Sequence, residues 1–253
     1  MGRVLASALE KFPGLRLAAI SGGQFDNVIC SRCDAVVALP TGSGAVFTAF
    51  IREFDAALKN EYAVTDPGVT LTCVAAEAAK SVPAERTATL VQALAAMPQG
   101  VEAMDTDFPG LVQTSLNMGV VKLNGDGLHI TFSIRSSIAS RKLMLAQRVR
   151  AVAALAGGTV AERGVYPGWQ YKRESKFRET LLAAYKDLTG KDGVVEATHG
   201  GLECGLLMEK IPDLDAVSMG PELHDVHSVR ERLNVPSTER TYELVCELLR
   251  RSC

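Results

Sequence analysis

The segment DAVSMGPELHDVHSVRERLNV sets two histidines, His224 and His227, in a polar stretch directly behind an apolar run that ends at Gly220-Pro221. Neutral imidazole is the commonest protein metal ligand. In open α/β sheets ligands gather just beyond the carboxyl ends of strands, so a histidine here is well placed for metal chemistry. Spacing alone leaves the ordinary alternative standing, a histidine in a solvated loop. Upstream, THGGLECGLLMEK brings His199, Gly200, Gly201 and Glu203 together. Paired glycines let backbone approach a ligand closely. They serve a tight turn into a helix equally well, and a carboxylate at Glu203 would favour that helix's N-terminal dipole. Arg135, in FSIRSS, carries a planar guanidinium that can bond both oxygens of a carboxylate; a solvated strand position is the plainer reading. Asn27 begins an extended run, where asparagine is usually a turn residue, and His129 faces a strand with no chemistry implied. Cys30 and Cys33 have the spacing of a zinc knuckle or redox pair, yet a lone pair cannot complete a four-ligand site. They read as ordinary thiols.

The elements that must position these groups follow from periodicity. Helical spacing of apolar residues predicts helices at 2–12, 44–63, 83–97 (entered through Ser81 and Pro83) and 140–156, the last closing on Gly157-Gly158. Extended runs are predicted at 15–23, 27–39, 69–77 (after the Asp66-Pro67-Gly68 turn), 111–123, 128–137 and 159–166. Asn124-Gly125-Asp126-Gly127 joins two of them as a hairpin, because these residues accept positive φ cheaply. Residues 1–77 and 83–165 therefore each read α-β-β-α-β. Beyond Tyr166-Pro167-Gly168-Trp169 the rhythm changes to helices at 174–190, 202–210 and 237–251, the last with a serine or threonine cap, alternating with short strands at 193–198 and 215–220. That alternation implies a parallel sheet, and two short strands cannot complete one.

Composition bounds the function. With 253 residues, one large or two ordinary domains fit. A net charge of −2, with no gathering of Lys and Arg, argues against nucleic acid as a main ligand. No apolar run nears the roughly 18 residues that span a bilayer. The opening MGRVLASALEKFPGLR reads as an amphipathic helix rather than a signal peptide. Six cysteines spread through a chain of this size imply reduced thiols and a cytoplasmic setting.

The order of motifs resembles one family. THGGLECGLLMEKIPDLDAVSMGPELHDVHSVRERLNV is similar to the terminal region of the aminoacyl-histidine dipeptidases, in the two-zinc family that also holds aminoacylases and glutamate carboxypeptidases. The family reads His-Ala-Gly-Leu-Glu-Cys-Gly-Leu, then Gly-Pro, then His-Ser-Pro-Asp-Glu; this chain reads His199 to Leu206, then Gly220-Pro221, then His227 to Glu231. The likeness continues upstream through NVICSRC, TSLNMGVV, FSIRSS and YPGWQ. It implies that His227 is a terminal zinc ligand. It further implies that Arg135, Asn27, Gly200, Gly201 and Glu203 contact a dipeptide substrate, with His199 in a supporting place. Val229 and Arg230 replace the family's proline and aspartate, which leaves the shape of that loop open.

The fold implied is α/β. Residues 1–163 would form a lid of two tandem ferredoxin-like α-β-β-α-β units with an antiparallel sheet, lacking its first strand. Residues 164–253 would form the C-terminal part of an α/β zinc-peptidase catalytic domain. The function implied is metal-dependent hydrolysis of dipeptides, Xaa-His or broader, with zinc as cofactor and self-association through the lid sheet. The family's remaining zinc ligands and its general base are absent, so no catalytic residue is assigned. An N-terminally truncated chain, inactive alone, is the expectation. The alternatives are a non-catalytic lid or interaction module, or an acylamino-acid hydrolase or carboxypeptidase of the same family.

Overall fold

The computed structural model describes residues 1–77, 80–125 and 127–252. Asp126, within the predicted hairpin turn, and Cys253 lie outside the described residues. The first three predicted helices appear as α1 (Gly2–Lys11), α2 (Gly44–Glu61) and α3 (Ala84–Ala96). Their apolar stripes face inward, as an amphipathic 3.6-residue period requires. Val4 and Ala8 of α1 meet Phe47, Phe50 and Ile51 of α2 around Phe12 and Leu15. On the next face Leu5, with Val91 and Leu94 of α3, covers Leu17 and Ile20 of β1 (Arg16–Gly22).

Strand β1 pairs antiparallel with β2 (Cys33–Ala38) and, at Ser21 and Gly22, with β4 (Val112–Asn124). Strands β3 (Gly100–Met104) and β5 (Gly127–Ser136) complete a five-stranded sheet of order β2-β1-β4-β3, with β5 also paired to β4. Helix α4 (Ala139–Leu155) seals Leu116 beneath Leu145 and Val149 and ends with Gly157 at φ 71°.

The α-β-β-α-β repeat needs correction. Neither 69–77 nor 159–166 forms a strand, and β3 is an element the sequence did not announce, so the two halves read α-β-β-α and α-β-β-β-α. At 69–77 the alternation is used without a ladder. Leu71 and Cys73 pack on the core, but the Leu71 N–H donates to Asp55 Oδ1 at 2.7 Å. The edge of β1 at Leu17 is occupied elsewhere, its carbonyl by Val82 N–H and its N–H by the buried Thr87 hydroxyl. Residues 159–165 are exposed. β3 is short and mostly exposed, so its partner β4 defines it rather than its own pattern. The extended run at 27–39 also shortens, with only 33–38 as strand.

Two compact units are present: Met1–Glu102 with Ser115–Ile134 and Leu143–Ala161, and Ala103–Thr114 with Arg135–Lys142 and Glu162–Cys253. The first holds all the apolar clusters above. In the second, α5 (Lys176–Thr189), α6 (Glu203–Lys210), α7 (Val235–Ser252) and the small ladder of β6 (Leu223–His224) with β7 (Arg232–Leu233) are the regular elements. The predicted strands at 193–198 and 215–220 are absent. A parallel strand is held by neighbours on both sides, and these runs have no ladder partner among the described residues; Val194 is 82% exposed. Among the described residues no helix is long and apolar enough to cross a membrane.

Side-chain capping anchors this second unit. Ser175 Oγ accepts from Arg178 N–H at the start of α5, and Asp215 Oδ1 accepts from Ser175 Oγ at 2.7 Å while Oδ2 accepts from Phe177 N–H at 3.1 Å. Gly190, left-handed at φ 68°, closes the other end. Asn234 Oδ1 accepts from Ser237 N–H in the first turn of α7, so the cap is asparagine rather than serine or threonine. Asp215→Ala removes the double acceptor and is expected to cost about 1–2 kcal/mol of stability, read by urea denaturation with tryptophan fluorescence from Trp169.

Candidate functional site

Strand β5 ends on Ser136, whose hydroxyl is hydrogen-bonded at 2.8 Å to that of Thr114 near the start of β4, and both residues are buried. Ser136 Oγ also donates to the Ile138 carbonyl and accepts from its N–H. Because successive strand side chains point to opposite faces, pinning Ser136 inward turns Arg135 outward, where it is exposed.

Glycines then let one segment lie against this strand end and a second lie against that segment. A Cβ on Gly168 would sit 2.6 Å from the carbonyl oxygens of both Ser136 and Ser137, so the Tyr166–Trp169 segment can lie flush only because position 168 has none. The Tyr166 ring covers Gly201, whose added Cβ would be 2.7 Å from Cδ1. Gly205, in the first turn of α6, approaches the Pro167 carbonyl less closely, with 3.2 Å for the same construction. Lys142 donates to the Tyr166 carbonyl, and desolvation lowers the pKa of its ammonium. Tyr166 is raised above its ordinary value by desolvation and then by the nearby Glu203 and Cys204.

His199 enters this constellation from the other side. Its ring hydrogen-bonds the Val112 backbone and lies close enough to Arg135 to feel its charge. Desolvation lowers the His199 pKa, Arg135 lowers it further, and the Val112 bond only partly opposes them. The neutral imidazole is thus favoured near the Arg135 guanidinium. Arg135 and His199 come together, and Tyr166 ties Gly201 and Glu203 to the same unit. A guanidinium near a neutral imidazole is suited to a carboxylate, with the imidazole adding no competing charge. Lys142 was not singled out by sequence, and Tyr166 stood there only as part of the Tyr166–Trp169 boundary and the YPGWQ likeness, with no role assigned.

The depressed His199 pKa has a pH consequence. The unfolded chain takes up this proton near the ordinary value of 6.5, the folded chain only at lower pH. The contribution to stability is complete above the unfolded pKa and is lost as pH falls through the folded one. Denaturation measured across that window should show wild type losing stability more steeply on acidification than His199→Gln.

His227 stands on a different scaffold, the loop between β6 and β7. It adopts φ 64°, as does its neighbour Asp225 at 51°, a conformation few side chains accept. Surrounding bonds enforce it: Glu231 Oε2 accepts from His227 N–H at 2.9 Å, Ser228 Oγ donates to the Asp225 carbonyl, and Arg232 pairs with Asp225 at 2.9 Å. The apolar run before this loop is not the strand the sequence suggested. His227 and His224 are both exposed. Asn27 lies in the other unit, exposed, in a turn fixed by Asn117 Nδ2 donating to the carbonyls of Asp26 and Val28 at 2.7 and 2.9 Å.

Zinc takes about four donors per ion. Among the described residues no three His, Cys, Asp or Glu side chains are grouped so as to hold a metal ion. The residues present therefore do not fit a two-zinc centre, to which His227 would bring a single imidazole.

No family model matches the chain. It is 32% identical over 250 residues to the cytosol non-specific dipeptidase of Escherichia coli (strain K12), an alignment covering 98% of this chain and 51% of that protein. Its mixed α/β fold with an antiparallel sheet superposes on the crystal structure of the aminoacylhistidine dipeptidase from Vibrio alginolyticus with a TM-score of 0.90 and 29% identity, over 99% of this chain and 51% of the other. The chain spans about half the length of the proteins it matches.

Proposed function

Because the chain is homologous, over about half their length, to the cytosol non-specific and aminoacylhistidine dipeptidases, we propose that it is the substrate-orienting part of a cytosolic metallodipeptidase. The observation that carries this reading is the meeting of Arg135 with His199 beside the Gly200-Gly201 turn. Arg135 grips the dipeptide's terminal carboxylate, with Gly200, Gly201 and Glu203 lining its path; Asn27 is a further substrate-binding residue in this reading. In this reading residues 1–163 serve as the lid, with its antiparallel sheet, and residues 164–253 as the C-terminal part of the catalytic domain. The chain's own residues would bind and orient substrate, and His227 would offer one imidazole to a zinc ion whose remaining donors are not grouped among the described residues. Bound zinc would supply a polarised water for attack on the peptide carbonyl.

The test is a chimera that joins this chain to the part of the Escherichia coli relative it does not match. Expected are stoichiometric zinc and release of free amino acids from dipeptides, while the chain alone does neither. His227→Ala in the chimera should weaken metal affinity by at least about a hundredfold, since even outer-shell changes cost ten- to a hundredfold. A folded, zinc-loaded chimera that leaves dipeptides intact would remove the reading. A second reading, a non-catalytic binding module, draws on the lack of a three-ligand group among the described residues. It predicts dipeptide binding by the chain without hydrolysis in any chimera.

A further inference from the structure

Cys30 and Cys33 were read from sequence as ordinary thiols on one continuous strand, which would send their side chains to opposite faces. The backbone does otherwise. β2 begins only at Cys33, and the preceding residues turn back so that Gly23 N–H meets the Arg32 carbonyl at 3.3 Å. Both sulfurs then fall over Gly22, which pairs with Cys33 across the β1–β2 ladder. A Cβ placed on Gly22 would lie 2.8 Å from Cys33 Sγ and 3.2 Å from Cys30 Sγ, so the sulfurs are no further apart than the sum of those distances, about 6 Å. The missing side chain of Gly22 is the space that both thiols share. They are free thiols, and Cys30 Sγ–H donates to the Arg32 carbonyl at 3.1 Å.

We propose that Cys30 and Cys33 are a redox modification site, closing to a reversible intrachain disulfide by exchange with a low-molecular-weight disulfide such as oxidised glutathione. A disulfide needs two sulfurs and no further ligand, so the objection to a metal site does not apply. Burial pushes the Cys33 thiol up to about 11, opposed by the N-terminal ammonium and reinforced by Cys30 and Asp34, which disfavours Cys33 as the entering thiolate and leaves that role to Cys30. The Cys30 thiolate, its proton given to water, attacks one sulfur of the external disulfide and expels the other as a thiolate. Cys33 then loses its proton, attacks the Cys30 sulfur and displaces the second thiolate. Two protein S–H bonds and one external S–S bond break, one internal S–S bond and two external S–H bonds form, and two electrons pass to the external disulfide. Closure cross-links the start of β2 to the turn that carries Asn27, whose other end Asn117 already holds. The inference stands whether or not the chain serves a dipeptidase.

The experiment equilibrates the full reduced chain in glutathione buffers of graded ratio, quenches with acid, alkylates, and maps peptides by mass. Expected is loss of two hydrogens confined to the peptide spanning 30–33, reversed by dithiothreitol, with slower amide exchange across 24–32 in the oxidised form. Cys33→Ser should stall with one glutathionyl group on Cys30, and Cys30→Ser should leave Cys33 unmodified. The proposal is overturned if wild type stalls at the same mixed disulfide as Cys33→Ser. It is equally overturned if Cys73, Cys204 or Cys246 oxidise while 30 and 33 stay reduced, or if the link forms only in denaturant.

Discussion

Arg135→Ala is expected to lower kcat/KM for dipeptide hydrolysis in the chimera by about tenfold to a thousandfold, the range for removing one partner of a charge-assisted carboxylate contact. The loss should depend on the substrate's end group. A dipeptide with a free C-terminal carboxylate loses its advantage over the amidated form, because the guanidinium distinguishes them by charge and by its two parallel donors. Arg135→Lys restores part of the charge and little of the geometry. The isolated chain offers an independent reading: Arg135 depresses the His199 pKa, so the alanine variant should show His199 titrating at higher pH by NMR. If the acid and the amide remain equally distinguished after the substitution, carboxylate recognition by Arg135 is wrong.

Gly119→Ala is expected to be among the most damaging single methyl additions in the first unit. The added Cβ would lie 2.3 Å from the Phe25 carbonyl oxygen and 2.5 Å from Cα and the carbonyl oxygen of Asp26, all backbone that no rotamer change can clear. Either β4 bends or the 25–28 turn lifts away, at about 1–3 kcal/mol or more. Gly23 meets the same residue of that strand, with φ 74° and its own Cβ position 1.7 Å from the Gly119 carbonyl oxygen. Amide exchange should report loss of protection over 23–30, carrying Asn27 out of place. Asn117→Ala removes the two carbonyl contacts without a clash and should loosen the same turn with a smaller loss of stability. Gly44→Ala is the control, since nothing lies within 4 Å of its added Cβ and it opens α2, where alanine is the better helix former. Equal stability of the Gly119 and Gly44 variants would contradict the account.

Local signals were the ones the sequence carried faithfully. Every predicted helix is present, because a helix satisfies its own backbone and shows its buried face every three or four residues. The stops at Gly157 and Gly190 were equally legible, since positive φ is a property of the residue itself. The residues at 135, 199, 201, 203 and 227 could be named as candidates from type and order, but not placed in relation to one another. Strands were settled by their neighbours. The run at 69–77 alternates like a strand, yet Thr87, Val82 and Asp55 took the hydrogen bonds it needed. The unremarkable GVEAM at 100–104 became one because β4 offered an edge. Contacts between distant segments belong to tertiary structure alone: His199 against Arg135, Tyr166 over Gly201, and two thiols over Gly22. Each depends on backbone approaching where a glycine leaves room, and the pattern of one segment holds no record of what another will lay against it.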